Sequence, residues 1–466
     1  MAAVCDFISK INSALHSFLW GPVMLAVFIG VGLYFHIRTG FFPIRHMGMW
    51  LKRTLFSLCK RNSHASDEHS LSSFEALFAA LAGSMGTGNI TGVATAIVAG
   101  GPGAIFWMWV SAFVGMMTKF AENVLGMRYR EKNPDGGGWH GSPMLYMTKG
   151  LNCRPLAVCF ALFCVLASFG LGNMTQGNSV ATALSGSLSV PPFMCGLGLS
   201  LAVGLVIMGG VKRIGRFTSY LIPIVSVIYL ICSIVILSVN ITKLPGVFAL
   251  IIKEAFRPAA IGGGALGYGI KKALQLGISR GVFSNEAGLG SSVMVYSSAA
   301  DASPFEQGLW GIFEVFFDTV IVCTLTALVI LCSGVYDAEF YETAIIYNLP
   351  VINGSVLAGA AFASVFGQFG NYFISASMTV YAFATLLTWS HYGALSCEYL
   401  WGSKTVPLYK AVFLGVIIIG CMTKLELIWD ISDTFNCLMA VPNLIALILL
   451  SGEVIKAFRE GVQAET

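Results

Sequence analysis

Apolar residues fall along this chain in blocks of roughly 20, the length a helix needs to cross a bilayer. The blocks lie near 19–35, 74–99, 103–127, 156–185, 192–210, 217–239, 264–299, 308–333, 370–393, 406–423 and 432–450, which predicts eleven spans. A Gly-rich apolar stretch at 355–369 is short and reads as a re-entrant or surface helix before the ninth span. Two blocks break the pattern. The segment GSMGTGNITGVA (Gly83–Ala94) puts glycines and small polar residues at the centre of the second span. The seventh block is long and polar, with Lys271, Lys272, Arg280, Asn285 and Glu286 beside GGGALGYG and EAGLGSS. Backbone that leaves the helix at membrane depth survives only inside protein or along a cavity, so both segments predict discontinuous helices lining a binding site.

The breaks open similar successions. Gly88 leads through a Gly/Pro turn into the aromatic span WMWVSAFVGMMTKFAEN, which carries Glu122. Gly290 leads through Asp301–Pro304 into LWGIFEVFFDT, which carries Asp318. Five spans run from the second to the sixth and five from the seventh to the eleventh. An odd number per copy inverts the second copy, as in many secondary transporters. The expected organisation is an extra span with a basic connection (1–73), a first five-helix repeat (74–239), an external connection (240–263), a second repeat (264–450) and a cytoplasmic tail (451–466).

Composition agrees with the pattern. The chain is 56% hydrophobic and 11% charged, against about 25% charged in soluble domains. Lysine and arginine cluster in alternate connections: Arg38, Arg45, Lys52, Arg53, Lys60 and Arg61 in 36–73, then Arg128, Arg130, Lys132, Lys149 and Arg154, then Lys212, Arg213 and Arg216. The other side has Lys10, Lys243, Lys253, Arg257 and Lys424. The asymmetry predicts an external N-terminus and a cytoplasmic C-terminus in a cell inner membrane. The first block has no basic flank or cleavage site before it and reads as a retained span. The twelve cysteines form no C-x-x-C pair and read as small membrane hydrophobes. No basic aromatic patch suggests nucleic acid. The glycines at 86, 88 and 92 do not fit a dinucleotide fingerprint. GGGWHGSP around His140 reads as a cytoplasmic turn. A polytopic enzyme would need a nucleophile–base pair or metal cluster at a membrane face, and none is legible; no cofactor is expected.

At the first break, Thr87, Gly88 and Asn89 are the leading candidates. Amides opening the resumed helix suit a substrate carboxylate, and Asn89 can offer a carbonyl to a cation or an ammonium group. Close packing of small residues is the alternative, but it does not explain Thr and Asn among the glycines. At the second, Asn285 can serve a substrate amine and Phe283 can wall the pocket. Glu286, costly in a membrane, is either functional or paired, with Arg280 as a possible partner. In the fourth span Asn173, Gln176 and Asn178 are either interhelical glue or pocket groups. Buried Glu122, Asp318 and Glu286 keep proton coupling open beside sodium coupling.

The motifs GTGNITGVATAIVAGGPGAIFWMW, TKFAENVLGMRYRE and SRGVFSNEAGLGSS, with WSHYG, CEYLWG and DTFNCLMAVPNLIALILLS, resemble the alanine or glycine:cation symporter family. The likeness runs from the second span almost to the end. It implies the LeuT-like fold of one extra helix plus a 5+5 inverted repeat, and sodium-coupled uptake of alanine, D-alanine or glycine. A more distant resemblance is to the broken first helix of the neurotransmitter:sodium symporters. Together these imply that Thr87 and Gly88 meet the carboxylate, that Ser84 and Asn89 serve one sodium, and that the Ala82 and Met85 carbonyls with Thr385 form a second sodium site. They also imply that Gln176, Phe283, Asn285 and Trp389 line the amino-acid pocket. The chain departs from the expected ninth-span pattern at Ala384, Thr388, His391 and Ala394.

Overall fold

Lipid offers backbone groups no partner, so a membrane chain satisfies its amides within helices and buries any irregular backbone. The computed structural model describes residues 12, 15–58, 71–132, 138–257, 269–300, 302–347 and 349–464. Its principal helices are α1 Pro22–Arg38, α2 Ser73–Ser84, α3 Thr91–Gly100, α4 Gly103–Arg128, α5 Arg154–Leu188, α6 Pro192–Ile207, α7 Gly210–Val239, α8 Ile270–Asn285, α9 Pro304–Cys332, α10 Gly354–Phe366, α11 Gln368–Trp401, α12 Val406–Met422, α13 Leu425–Leu449 and α14 Ser451–Gln463. Among the described residues, seven helices are long and apolar enough to span a bilayer: α4, α5, α7, α9, α11, and those that contain α12 and most of α13. The shorter apolar helices are α1, α2, α3, α6 and α10.

Local chemistry sets the helix ends. Ser72 caps α2 by accepting from Glu75 N at 3.2 Å, while Ser72 N donates to Glu75 Oε2 at 3.0 Å. Ser303 and Glu306 repeat this reciprocal box at the start of α9, with Pro304 in the first turn. The predicted breaks are both present. After α2, Met85 and Gly86 leave helical geometry, one 3₁₀ turn covers Thr87–Asn89, and α3 resumes at Thr91. After α8 the chain turns left-handed at Glu286 (φ 56°), Gly288 (φ 94°) and Gly290 (φ 73°) before a short turn at Val293–Tyr296. For glutamate this conformation is strained by about 1–2 kcal/mol.

Several features depart from the sequence reading. The 355–369 stretch is a short helix before the ninth span, as expected, and as α10 it is packed, with Leu357, Ala358, Ala361 and Phe362 buried. It folds back on α11, where a side chain at Gly370 would strike the Phe362 and Ala363 backbone. The basic connection contains a helix at Met47–Leu58, the 240–263 connection a helix at Leu244–Ala255, and 451–463 is the helix α14 with Val454, Ile455, Ala457 and Phe458 buried. The His140 turn is a two-stranded antiparallel ladder pairing Glu131 with His140 and Lys132 with Trp139. Spans α5 and α9 widen into π-helical turns at Gly170–Met174 and Phe316–Cys323. Lys10, Lys60, Arg61, Asp301 and all but the last residue of GGGALGYG lie outside the described residues.

The second broken helix is held close to α4. A Cβ on Gly277 would sit 2.4 Å from Ala104 O and 2.5 Å from Trp107 Cβ. Overpacking of this kind costs about 1–3 kcal/mol. Gly277→Val should therefore lower the thermal midpoint of detergent-solubilised protein by several degrees. Gly198→Val should not, because nothing lies within 4 Å of a Cβ there. Differential scanning fluorimetry on both variants checks this.

Candidate functional site

Each break frees backbone groups, and side chains from other helices take them up. At the first break Thr87 N donates to Gln176 Oε1 at 3.0 Å, and Gln176 Nε2 donates to Leu171 O at 2.9 Å in the π-turn of α5. Thr385 Oγ1 on α11 donates to Ala82 O at 2.7 Å, and Thr388 Oγ1 to Ala79 O at 3.1 Å. Gly86 lies in this cluster: an added Cβ would be 2.6 Å from Thr385 Oγ1 and 2.9 Å from Gln176 Oε1. Ser84 turns its hydroxyl back toward Ala80 and Leu81 carbonyls at 3.4 Å. Met85 is buried, its thioether near Ser226 Oγ at 4.0 Å.

The two breaks face one another. A Cβ on Gly88 would meet Phe283 Cδ1 at 3.1 Å and Ser284 Cα at 3.4 Å. Asp318, in the π-turn of α9, ties them together. Its Oδ1 accepts from Asn89 Nδ2 at 2.7 Å, and its Oδ2 accepts from Ser284 Oγ at 2.6 Å and Thr319 Oγ1 at 2.9 Å. Asn285 Nδ2 donates to Thr319 Oγ1 at 3.1 Å, while its Oδ1 accepts from Ala287 N at 3.0 Å. Thr87 Oγ1 and Asn89 Oδ1 are buried without a hydrogen-bond partner. A buried acceptor in that condition is costly unless a ligand meets it. The arrangement thus holds a buried carboxyl group, two unpartnered oxygens and the start of a resumed helix within one junction. Such a set can receive a cation beside a carboxylate.

Four charges are spent on the second break. Lys119 is fully buried, donates to Asn285 O at 3.0 Å and pairs with Glu314 at 3.3 Å. Glu122 Oε1 accepts from Gly290 N at 2.9 Å and from Asn443 Nδ2 at 2.7 Å, and the same amide reaches Gly288 O at 2.8 Å. Glu286 Oε1 accepts from Trp389 Nε1 at 2.7 Å, and Oε2 accepts a short bond from Ser291 Oγ. This corrects the expected Arg280–Glu286 pair. Arg280 instead forms a two-point bridge to Asp433 on α13 at 2.8 and 2.9 Å. Six residues along, Glu286 lies past the end of α8 in the left-handed turn, so the two side chains leave the helix in different directions.

Of the residues singled out in the sequence, Ala82, Gln176 and Thr385 gather around Gly86, and Thr87, Gly88, Asn89 and Phe283 gather where the breaks touch, beside Asn285. Trp389 packs on Gly172 and turns its indole N–H to Glu286. The aromatic stacked on Phe283 is Trp429, at 4.4 Å between ring centres. Asn173 and Asn178 donate to the carbonyls of Phe413 and of Gly420 and Thr423 on or just past α12, as interhelical glue. The sequence reading missed Lys119, Glu314 and Trp429. Charges inside apolar runs were the available signal for Lys119 and Glu314. Trp429 lies in the polar run LELIWDISD and carried none.

Known proteins are similar to this chain over nearly its whole length. The sodium:alanine symporter family profile matches residues 5–465. The chain is 41% identical over 462 residues to the sodium/alanine symporter AgcS of Methanococcus maripaludis, covering 98% of each chain. It is 36% identical to the probable sodium/glutamine symporter GlnT of Bacillus subtilis, covering 95% of this chain and 88% of that one. In fold it is similar to a manganese transporter of Eremococcus coleocola, with a TM-score of 0.51 at 16% identity, over 83% of this chain and 78% of the other.

Removing one partner of a buried ion pair leaves an uncompensated charge and costs about 3–5 kcal/mol. Lys119→Met should therefore destabilise the solubilised protein strongly. The double variant Lys119→Met with Glu314→Leu should recover much of the loss. A double-mutant cycle from urea or thermal unfolding measures the coupling.

Proposed function

The chain belongs to the sodium:alanine symporter family, a family of membrane transporters and not enzymes, and on that premise we propose that it imports alanine, D-alanine or glycine with sodium by alternating access. The observation that carries this reading is the junction of the two breaks, where Thr87 Oγ1 and Asn89 Oδ1 are buried without partners. Thr87, through its unpartnered hydroxyl, and Gly88, through its backbone amide, take the substrate carboxylate near the start of the resumed helix, whose end carries partial positive charge. Asn285 takes the amine, with Gln176 at the edge of the carboxylate position. Asn89 and Ser84 serve one sodium, supported by the carboxylate of Asp318 beside Asn89. The Ala82 and Met85 carbonyls with Thr385 serve a second, supported by the contact of Thr385 with Ala82. The divisions 74–239 and 264–450 act as inverted repeats around this junction. The Lys/Arg asymmetry supports an inner-membrane orientation with the N-terminus outside and the C-terminus in the cytoplasm.

Proton coupling is the second reading, favoured by three buried carboxylates at the breaks, Glu122, Glu286 and Asp318. A related Bacillus subtilis protein, 34% identical, is described as a putative sodium/proton-dependent alanine carrier.

Purified protein in liposomes should accumulate alanine when sodium is higher outside, with no pH gradient imposed. Uptake that ignores sodium and follows an imposed pH gradient would replace sodium by protons in this reading. Gly88→Leu should abolish uptake while the protein still inserts, because even a Cβ there meets Phe283 at 3.1 Å. Radiolabelled alanine uptake with surface biotinylation as the insertion control checks this. Normal uptake by the variant would move the carboxylate site elsewhere.

A further inference from the structure

Trp429 occupies the space above the first break that no residue of the sequence reading fills. Its ring stacks on Phe283 with an interplanar angle of 26°. A Cβ on Gly92 would lie 3.5 Å from its Cη2. Phe283 in turn lies over Gly88. The two rings therefore cover both glycines at the start of the resumed helix, next to the buried oxygens of Thr87 and Asn89.

The ring is held from the side. The Arg280 guanidinium lies 4.5 Å from the Trp429 ring centre and 5.7 Å from that of Phe283. The same guanidinium is locked to Asp433, one turn along α13 from Trp429. Trp429 is 4% exposed, and its indole N–H has no hydrogen-bond partner. A tryptophan that served packing alone would be expected to bury its N–H against an acceptor. Here the buried indole N–H is left without an acceptor.

We propose that Trp429 is a specificity-determining residue, closing the substrate's side-chain space against Phe283 so that a methyl group fits and a longer chain does not. This rests on the small amino-acid reading above and names what sets its size limit. Trp389 is engaged elsewhere, donating to Glu286, packing on Gly172 and meeting Tyr392 edge-on.

The test uses full-length protein in liposomes with an inward sodium gradient: the parent, Trp429→Phe and Trp429→Ala, each with alanine, 2-aminobutyrate and glutamine. One methylene in an apolar pocket changes selectivity by about 10–200-fold. Trp429→Ala should raise kcat/KM for 2-aminobutyrate relative to alanine by at least about tenfold, mainly through KM, with a smaller shift in Trp429→Phe. Thermal stabilisation of the solubilised variants by the same three ligands gives the size order for any variant that binds without transporting. An unchanged ratio in Trp429→Ala, by uptake or by stabilisation, overturns the proposal. If the parent shows no sodium-driven alanine uptake, the failure falls on the functional reading, and the stabilisation ratio still reports whether Trp429 limits ligand size.

Discussion

Everything at the centre of this molecule follows from backbone groups that two interrupted helices release in the buried interior of the bundle. An unmet amide or carbonyl in such a place costs about 1–3 kcal/mol. The fold meets them with side chains borrowed from four other helices. Gln176 on α5 takes the amide of Thr87 and Thr385 on α11 donates to Ala82 O, while Lys119 on α4 donates to Asn285 O. Glu122 on α4 takes the amide of Gly290, and Asn443 on α13 reaches Gly288 O. The breaks are thus fixed by the bundle, and the bundle is tied together through the breaks.

The same economy governs charge. Lys119 and Glu314 neutralise each other at full burial, and Arg280 and Asp433 do so under the aromatic wall. Asp318 is handled differently, with hydroxyls of Ser284 and Thr319 and the amide of Asn89 in place of a cation. A carboxylate solvated by neutral donors between two helix ends keeps capacity for a transient positive charge. A carboxylate already paired with lysine does not.

Glu286 shows how strain and connection combine. Its left-handed backbone is unfavourable for a residue that carries a Cβ, yet its carboxylate is held on one side by Ser291 and on the other by Trp389 of α11. The contact joins the second break to a helix that also holds the first through Thr385 and Thr388. Helix α11 therefore registers the conformation of both breaks.

The sequence alone determined the membrane class, the order of the spans and the position of both breaks, because apolar run length and polar interruption are local properties of a chain in lipid. It also named Thr87, Gly88, Asn89 and Asn285, since glycine with small polar residues at mid-span has few other physical uses. What it left undecided was partnership. Arg280 looks nearest to Glu286 in sequence, but the end of α8 sends them apart and Asp433 arrives from α13, 153 residues on. The family resemblance pointed to Trp389 and nothing in the sequence pointed to Trp429, which only helix packing stacks on Phe283. The helices inside the connections and tail were hidden as well, because their apolar faces are short and acquire meaning only against the bundle that buries them. Spacing along the chain sets which residues share a helix; which helices meet, and therefore which charges and rings face one another, is set by the tertiary packing alone.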